Sequence, residues 1–346
     1  MRAAVVRQHG DPSVIHIEEI PAPLVDAPDD VVVRVKACAL NRLDLFVRSG
    51  MTGPGIRPCS LPHVSGADVA GEVESVGPAA EGWQVGDRVL VYPGLGCGHC
   101  PDCERGEDSM CRSYRIFGED TFGGLAEYTM VRAGNLEPLS ERIAFEVAAA
   151  VPVAYTTAWR MVVTAGGVRP SERVLVLGAG GGVGCAAVEL AHAAGAYVFA
   201  VTKGSERASL LQKIGADRAI DRATEDFGEV VFHETEDRGV DLIVNPVGGE
   251  TFRAAITSLA MGGRMTICGA AAGDNPDLSI REIYQSHRRI IGAPLGSRRD
   301  FRAVLDLLSR GLLQPHLHAV LPLEQIAQGH RVLEEGVAFG KVVIVP

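Results

Sequence analysis

Residues 173–184 read RVLVLGAGGGVG, an apolar run that enters a turn with five glycines in seven positions. No other stretch limits the fold so tightly. The apolar run has the character of a strand buried on both faces. Glycine lets the backbone reverse sharply and approach whatever lies above it. The following CAAVELAHAAG offers the small residues of a helix packed close to a sheet. Strand, glycine turn and helix make the first half of a β-α-β unit, which needs a parallel sheet with helices on its faces. The alternation continues through strand AYVFAVT, helix Glu206–Ile214, strand Asp241–Val244, helix Thr251–Leu259 and strand Arg264–Ile267. The first part of the chain is different: short strands at Val31–Ala37, Val69–Val76 and Arg88–Tyr92, punctuated by Gly and Pro. A helix at Asp300–Ser309 and a strand at Lys341–Val345 close the sequence. The 346 residues amount to about two domains, and the predicted class is α/β.

A glycine-rich string alone is weak evidence for a ligand, but between a strand and a helix it is specific. There the helix N-terminus presents unpaired N–H groups and a partial positive charge, and the glycines let a pyrophosphate come close. The candidate cradle is Ala179, Gly180, Gly181, Gly182, Val183 and Gly184. The next strand runs into Thr202-Lys203-Gly204-Ser205-Glu206-Arg207. An NAD site places a carboxylate at that strand end to accept from the ribose 2′-hydroxyl. Thr202 and Lys203 stand there instead, with Arg207 close behind, and these groups suit a 2′-phosphate. The expectation is therefore NADPH, with Glu206 as the ribose partner if the cofactor is NAD.

Eight cysteines are present, and four lie in GCGHCPDCERGEDSMC, spaced C-x2-C-x2-C-x7-C. Thiolates at this spacing converge on one ion, and four of them complete a tetrahedral zinc shell with no open position. Cys97, Cys100, Cys103 and Cys111 are the expected ligands of one structural zinc, which staples a loop and adds folding energy but does not polarise a substrate. The remaining four, Cys38, Cys59, Cys185 and Cys268, read as small core residues.

The formal net charge is −10, with no long block of one sign. An acidic chain is a poor partner for nucleic acid, which needs cationic contacts to phosphate. The uncharged run Val174–Val188 has 15 residues and five glycines, too short and too broken to cross a membrane. The N-terminus MRAAVVRQHG lacks an apolar signal core, so a cytoplasmic location is expected.

The segments ALNRLDLFVRSG (39–50), SGADVAGEVESVG (65–77), the four-cysteine lobe, AYTTAW (154–159), GAGGGVG, LAMGGRMTICG (259–269) and GKVVIV (340–345) together resemble the medium-chain dehydrogenase/reductase superfamily along nearly the whole chain. The resemblance implies a GroES-like, mainly β catalytic domain at 1–148 and 293–346, with the zinc lobe at 96–112. It implies a Rossmann domain at 149–292, hydride transfer to or from nicotinamide, and a homodimer or homotetramer. It places Asn41 and Thr157 at the nicotinamide end, Asp44 as a further catalytic or loop-holding residue, and Gly269 and Lys341 with the cofactor.

Zinc alcohol dehydrogenases of the superfamily carry a Cys, a G-H-E segment and a third Cys or acid as catalytic ligands. In matching register this chain has Asn41, then Ala67 and Asp68, then Ala154 and Tyr155. A lone Asp68 does not hold a catalytic zinc, which takes three protein ligands. The N-x-x-D, G-x-D and A-x-G-G-V-G patterns resemble the quinone oxidoreductase branch, which runs without metal; the cysteine lobe does not. The function expected is an NADPH-dependent oxidoreductase passing hydride to a conjugated carbonyl, a quinone or enone, whose own oxygen takes up the charge. One alternative is an alcohol or aldehyde dehydrogenase with a zinc displaced onto Cys38, Cys59, His63 and Asp68. Another is a non-catalytic NADPH-binding protein. Phe46, Met51, Phe122 and Leu295 are the expected pocket walls, and His63 is the one candidate proton donor.

Overall fold

The computed structural model describes residues 1–53, 57–274 and 278–346. The chain divides into two compact units: Met1–Val153 with Ser297–Arg299 and Gln314–Pro346, and Ala154–Gly296 with Asp300–Leu313.

The first unit is mainly β. Its largest sheet is ordered Leu317–Pro322, Lys341–Val345, Asp30–Ala39, Asp68–Val76, Arg88–Val91 and Leu136–Pro138, with Tyr128–Arg132 pairing Asp30–Ala39. Val31, Val33, Val35, Val69, Val73, Val89, Val91, Val342 and Ile344 form its core. These β-branched residues fit a pleated, half-buried surface. Three adjacent strands matter for the site. The terminal strand runs antiparallel to Asp30–Ala39, pairing Ile344 with Cys38 and Val343 with Ala39. On its other side Asp30–Ala39 pairs Ala39 with Asp68. The register therefore brings the residues beyond Ala39, the start of the Asp68 strand and the start of the terminal strand to one end of the sheet. Helix α1 (Arg42–Ser49) leaves from that end and stops at Gly50, which is left-handed at φ 69°. No L-residue with a side chain takes that conformation easily.

The second unit holds six parallel strands: β1 (Arg173–Val176), β2 (Tyr197–Thr202), β3 (Arg218–Asp221), β4 (Val240–Asn245), β5 (Leu259–Ile267) and β6 (Arg289–Gly292). Their order across the sheet is β3-β2-β1-β4-β5-β6, all neighbours parallel. This is the doubly wound order of dinucleotide-binding sheets, with its crevice at the switch between β1 and β4. Helix α2 (Gly182–Ala193) follows β1 and is buried along most of its length. Helix α3 (Arg298–Ser309) buries Asp300, Phe301, Val304 and Leu308. The sequence assigned all of 293–346 to the GroES-like part, but Asp300–Leu313 lie with the second unit. The buried Arg160–Asp300 pair at 3.1 Å and the Thr164 hydroxyl donating to Asp300 at 2.6 Å hold the helix there. No helix among the described residues is long and apolar enough to cross a membrane.

Candidate active site

The site in the first unit is built around Asp68, which is fully buried. Its Oδ2 accepts from Lys341 Nζ at 2.8 Å and from Asn41 Nδ2 at 2.9 Å, and its Oδ1 accepts from the Val153 backbone N–H at 2.7 Å. Lys341 Nζ also donates to Asn41 Oδ1 at 2.6 Å. Amide, carboxylate and ammonium thus close on one another. A buried ion pair needs this degree of hydrogen bonding to offset the loss of water around both charges. Asn41 stands at the N-cap of α1, yet its side chain is turned to Asp68 and Lys341. A capping box is present as well, with Asp44 Oδ2 accepting the Asn41 N–H at 2.7 Å. Burial pushes the Asp44 carboxyl up to about 6, against the pull of the Asn41 N–H and of Lys341.

The resemblance placed Asn41 at the nicotinamide end. Its Nδ2 hydrogens face Asp68 and, at 3.5 Å, the Ala39 carbonyl. Lys341, which the resemblance assigned to the cofactor, is the cation of this cluster. Thr157 is buried in the second unit. Leu295 is also buried in the second unit, whereas Met51 and Phe122 are exposed and Phe46 is half-buried in the first.

The displaced-zinc arrangement does not form. Cys38 lies inside the strand core, fully buried between its Val69 and Ile344 neighbours. His63 Nε2 is 3.2 Å from the Gly118 carbonyl, its ring meets Phe122 edge-on at 5.7 Å, and burial pushes its pKa down. Among the described residues, one group of three or more His, Cys, Asp and Glu has converging ligand atoms: Cys97, Cys100, Cys103 and Cys111, all within 4.8 Å of one another. Gly98 and Gly106 are left-handed, at φ 81° and 78°, as the tight loop requires. The Cys97 N–H points to Cys111 Sγ at 3.4 Å, and burial and the neighbouring thiols push the Cys103 thiol up to about 12. Four crowded sulfurs with an inward amide fit a tetrahedral thiolate shell for zinc, whose charge reverses that crowding. Of the other cysteines, Cys38 and Cys185 are buried as expected, but Cys59 and Cys268 are only partly so.

In the second unit, the turn after β1 has the shape a pyrophosphate needs. A Cβ at Gly184 would lie 2.3 Å from the Gly178 carbonyl oxygen, so glycine is required for the turn to close on itself. At Gly181 a Cβ would meet only that oxygen, at 3.5 Å, so the rim is open. Gly181 is the N-cap of α2 and no side chain caps the helix. First-turn N–H groups need an outside acceptor, and a phosphate serves. Gly269 follows β5, and a Cβ there would lie 3.3 Å from the Pro246 carbonyl oxygen. At the end of β2, Thr202 is buried and Lys203 exposed, while Arg207 is half-buried in the next helix. No sequence signal marks Asp221, which pairs with Thr202 across the sheet. Its Oδ1 accepts from the Gly204 N–H at 2.8 Å and the Ala223 N–H at 3.0 Å, and these bonds with nearby Lys203 hold its carboxyl below the usual range.

These features agree with what the chain is similar to. Residues 27–141 match the alcohol dehydrogenase GroES-like domain, and residues 182–310 match the zinc-binding dehydrogenase family. An NAD-dependent alcohol dehydrogenase of Sulfolobus acidocaldarius is 32% identical over 99% of both chains. An acryloyl-coenzyme A reductase of Sulfurisphaera tokodaii is 31% identical over 100% of both. A solved NAD-dependent alcohol dehydrogenase structure is 40% identical, covers 100% of both chains and superposes with a TM-score of 0.95. The chain belongs to the medium-chain dehydrogenase/reductase superfamily. It is an oxidoreductase of that superfamily, with a pyridine nucleotide as its cofactor.

Proposed function

We propose that this enzyme reduces a conjugated carbonyl, an enone or quinone, with NADPH and without a catalytic metal. The observation that carries this reading is the closure of Asp68 on Asn41, Lys341 and Val153. Both oxygens of the one acid in the catalytic-ligand register are occupied, and an ammonium stands 2.8 Å from it. A divalent cation added there meets a fixed positive charge and too few donors. Bound nicotinamide supplies the hydride. The protein then has to place, beside it, a substrate whose own conjugation carries the developing charge. An isolated ketone lacks that outlet. The acryloyl-coenzyme A reductase relative acts, by its name, on such an activated alkene.

Gly178–Gly184 would hold the pyrophosphate, and Thr202 and Lys203 a 2′-phosphate. Cys97, Cys100, Cys103 and Cys111 would hold one structural zinc. The protein acts in the cytoplasm as a homodimer or homotetramer, on a small-molecule substrate.

The test is a panel of enones, enoyl thioesters, quinones, aldehydes and alcohols with each nucleotide, together with zinc content. The expected result is NADPH oxidation by conjugated carbonyls and one zinc per chain. A second reading, an NAD-linked alcohol dehydrogenase, is favoured by the names of the two alcohol dehydrogenases above. Alcohol oxidation with NAD and two zincs per chain would establish it and overturn the first.

A further inference from the structure

The glycine turn and Gly269 lie at the carboxyl ends of the strands in the second unit, where doubly wound sheets take their nucleotide. The amino ends of the same strands enclose a second space. A cavity of about 320 Å³ opens where β1, β4, β5 and β6 begin. Glu172 stands just ahead of β1, Asp241 near the start of β4, and Arg289 is the first residue of β6. β5 supplies a wall by bulging: the register shifts between its Val240–Leu259 and Leu242–Arg264 pairings, and Gly262 turns left-handed there at φ 76°. A Cβ at Gly262 or at Gly167, both on the lining, would meet nothing within 4 Å, so the approach is open.

Three guanidiniums line this cavity, Arg169, Arg264 and Arg289, with two carboxylates, Glu172 and Asp241. Arg264 is 7% exposed, and its N–H groups are spent on the Gly166, Gly167 and Asp241 carbonyls and on both oxygens of Glu172. Glu172 takes the Arg169 backbone N–H as well, at 3.0 Å. Asp241 accepts from the Arg173 N–H at 2.8 Å and from the Arg238 guanidinium at 3.1 Å. Each acid is thus matched by a cation, Glu172 by Arg264 and Asp241 by Arg238. Arg169 and Arg289 are exposed, and among the described residues neither guanidinium makes a hydrogen bond or an ion pair. Arg289 also stands directly across the ladder from Arg264. Like charges so placed repel. The cavity therefore carries two unmatched cations, one of them set against a third.

We propose that this cavity binds a small organic dianion, a phosphate monoester or a short dicarboxylate, through Arg169 and Arg289. A guanidinium meets either acid group with paired N–H donors, and such charge-assisted bonds are stronger than neutral ones. The volume is at the small end of organic-ligand pockets, about 300–1,000 Å³, and suits a short molecule. Once bound, the dianion relieves the repulsion between Arg289 and Arg264 and ties the segment 165–169 to the edge strand β6. The site is independent of the proposed reaction.

The test is calorimetry on the whole protein saturated with NADPH, or with NADH if that binds more tightly, so that the glycine turn is filled and takes up no probe. Glycerol 3-phosphate and succinate are titrated separately at constant ionic strength. The expected result is one equivalent of at least one of them per chain, and the one that binds names the acid group. R169M and R289M keep the wild-type nucleotide affinity and each bind that probe roughly tenfold or more weakly. R289M melts no lower than wild type, since the charge opposite Arg264 is gone. Amide exchange slows on binding at residues 165–169 and 289–291. No binding of either probe to the wild type overturns the proposal. So does binding that persists undiminished in the R169M/R289M double variant, or protection from exchange that falls only on other residues.

Discussion

Lys341 and Asp68 have side chains 4% and 0% exposed, so neither charge is rescued by water once its partner is gone. Lys341→Met leaves a buried carboxylate with two neutral donors. The expected cost is about 3–5 kcal/mol, the range for breaking one side of a buried pair. Replacing both, as Asp68→Asn with Lys341→Met, removes the orphaned charge and should recover much of that loss. Urea unfolding of both single variants and the double measures the coupling, and a single-variant cost below about 1 kcal/mol would mean the pair is hydrated. A second buried group gives stability a pH dependence. In helix α4 (Ile326–Glu334), His330 is 1% exposed and its Nδ1 faces Arg48 Nη1 at 3.3 Å. Burial, with the Arg48 charge, pushes its pKa down to about 3. The folded chain refuses a proton that the unfolded chain takes near 6.5. Stability present above that pH is therefore lost as pH falls toward 3, by roughly 2–3 kcal/mol between pH 6.5 and 4.5. His330→Gln should flatten that slope in urea midpoints measured across the same range.

Two glycines in one turn separate folding from binding at the scale of the element. Gly184→Ala puts a methyl 2.3 Å from the Gly178 oxygen, so the turn between β1 and α2 must open. Melting temperature and cofactor binding should both fall. Gly181 is different: its φ of −83° suits any residue, and its Cβ direction is open. Gly181→Ala should leave the melting temperature nearly level, since alanine restricts the unfolded chain but is a poorer N-cap than glycine. With the dinucleotide on this turn, as proposed, its methyl would stand in the place of the phosphate, so nucleotide affinity measured by fluorescence titration should drop at least tenfold; an unchanged affinity would show that the dinucleotide does not sit on this turn. Helix α3 has a comparable dependence at its start. Asp108, within the cysteine lobe, accepts the Arg298 N–H at 2.9 Å with Oδ1 and the Tyr92 hydroxyl at 2.8 Å with Oδ2. The Arg298 guanidinium lies 5.1 Å from the Tyr92 ring centre, and Arg299 pairs with Glu107 at 2.5 Å. The lobe thus holds Arg298, 190 residues away in sequence, and Arg299 beside it. Asp108→Ala should cost about 1–2 kcal/mol, with faster amide exchange at Arg298 and Arg299. No change there would remove that role.

Across the whole molecule, what sequence discloses depends on how far apart the cooperating residues lie. The glycine turn is a local backbone requirement, written in seven consecutive residues, and the doubly wound sheet follows from the alternation around it. The cysteine lobe is similarly local, its four sulfurs supplied within 15 residues. The closed cluster at Asp68 is not, because Asn41 and Lys341 stand 300 residues apart and meet only through antiparallel pairing of the terminal strand. Spacing carries no trace of that register, so the meeting of Asn41, Asp68 and Lys341 is not legible in the sequence. Cysteine accounting tests how the molecule divides its chemistry. Zinc content should be one per chain. With zinc in place, four thiolates are held and Cys38 and Cys185 are buried, leaving Cys59 and Cys268 as the two partly accessible thiols. Titration of the native protein with a thiol reagent should therefore find at most two groups, and chelation should expose four more while releasing one equivalent of zinc. Release of two equivalents would mean that a second metal is held outside the lobe, and Asp68 with its ammonium neighbour would no longer mark an enzyme that relies on its substrate to carry the charge.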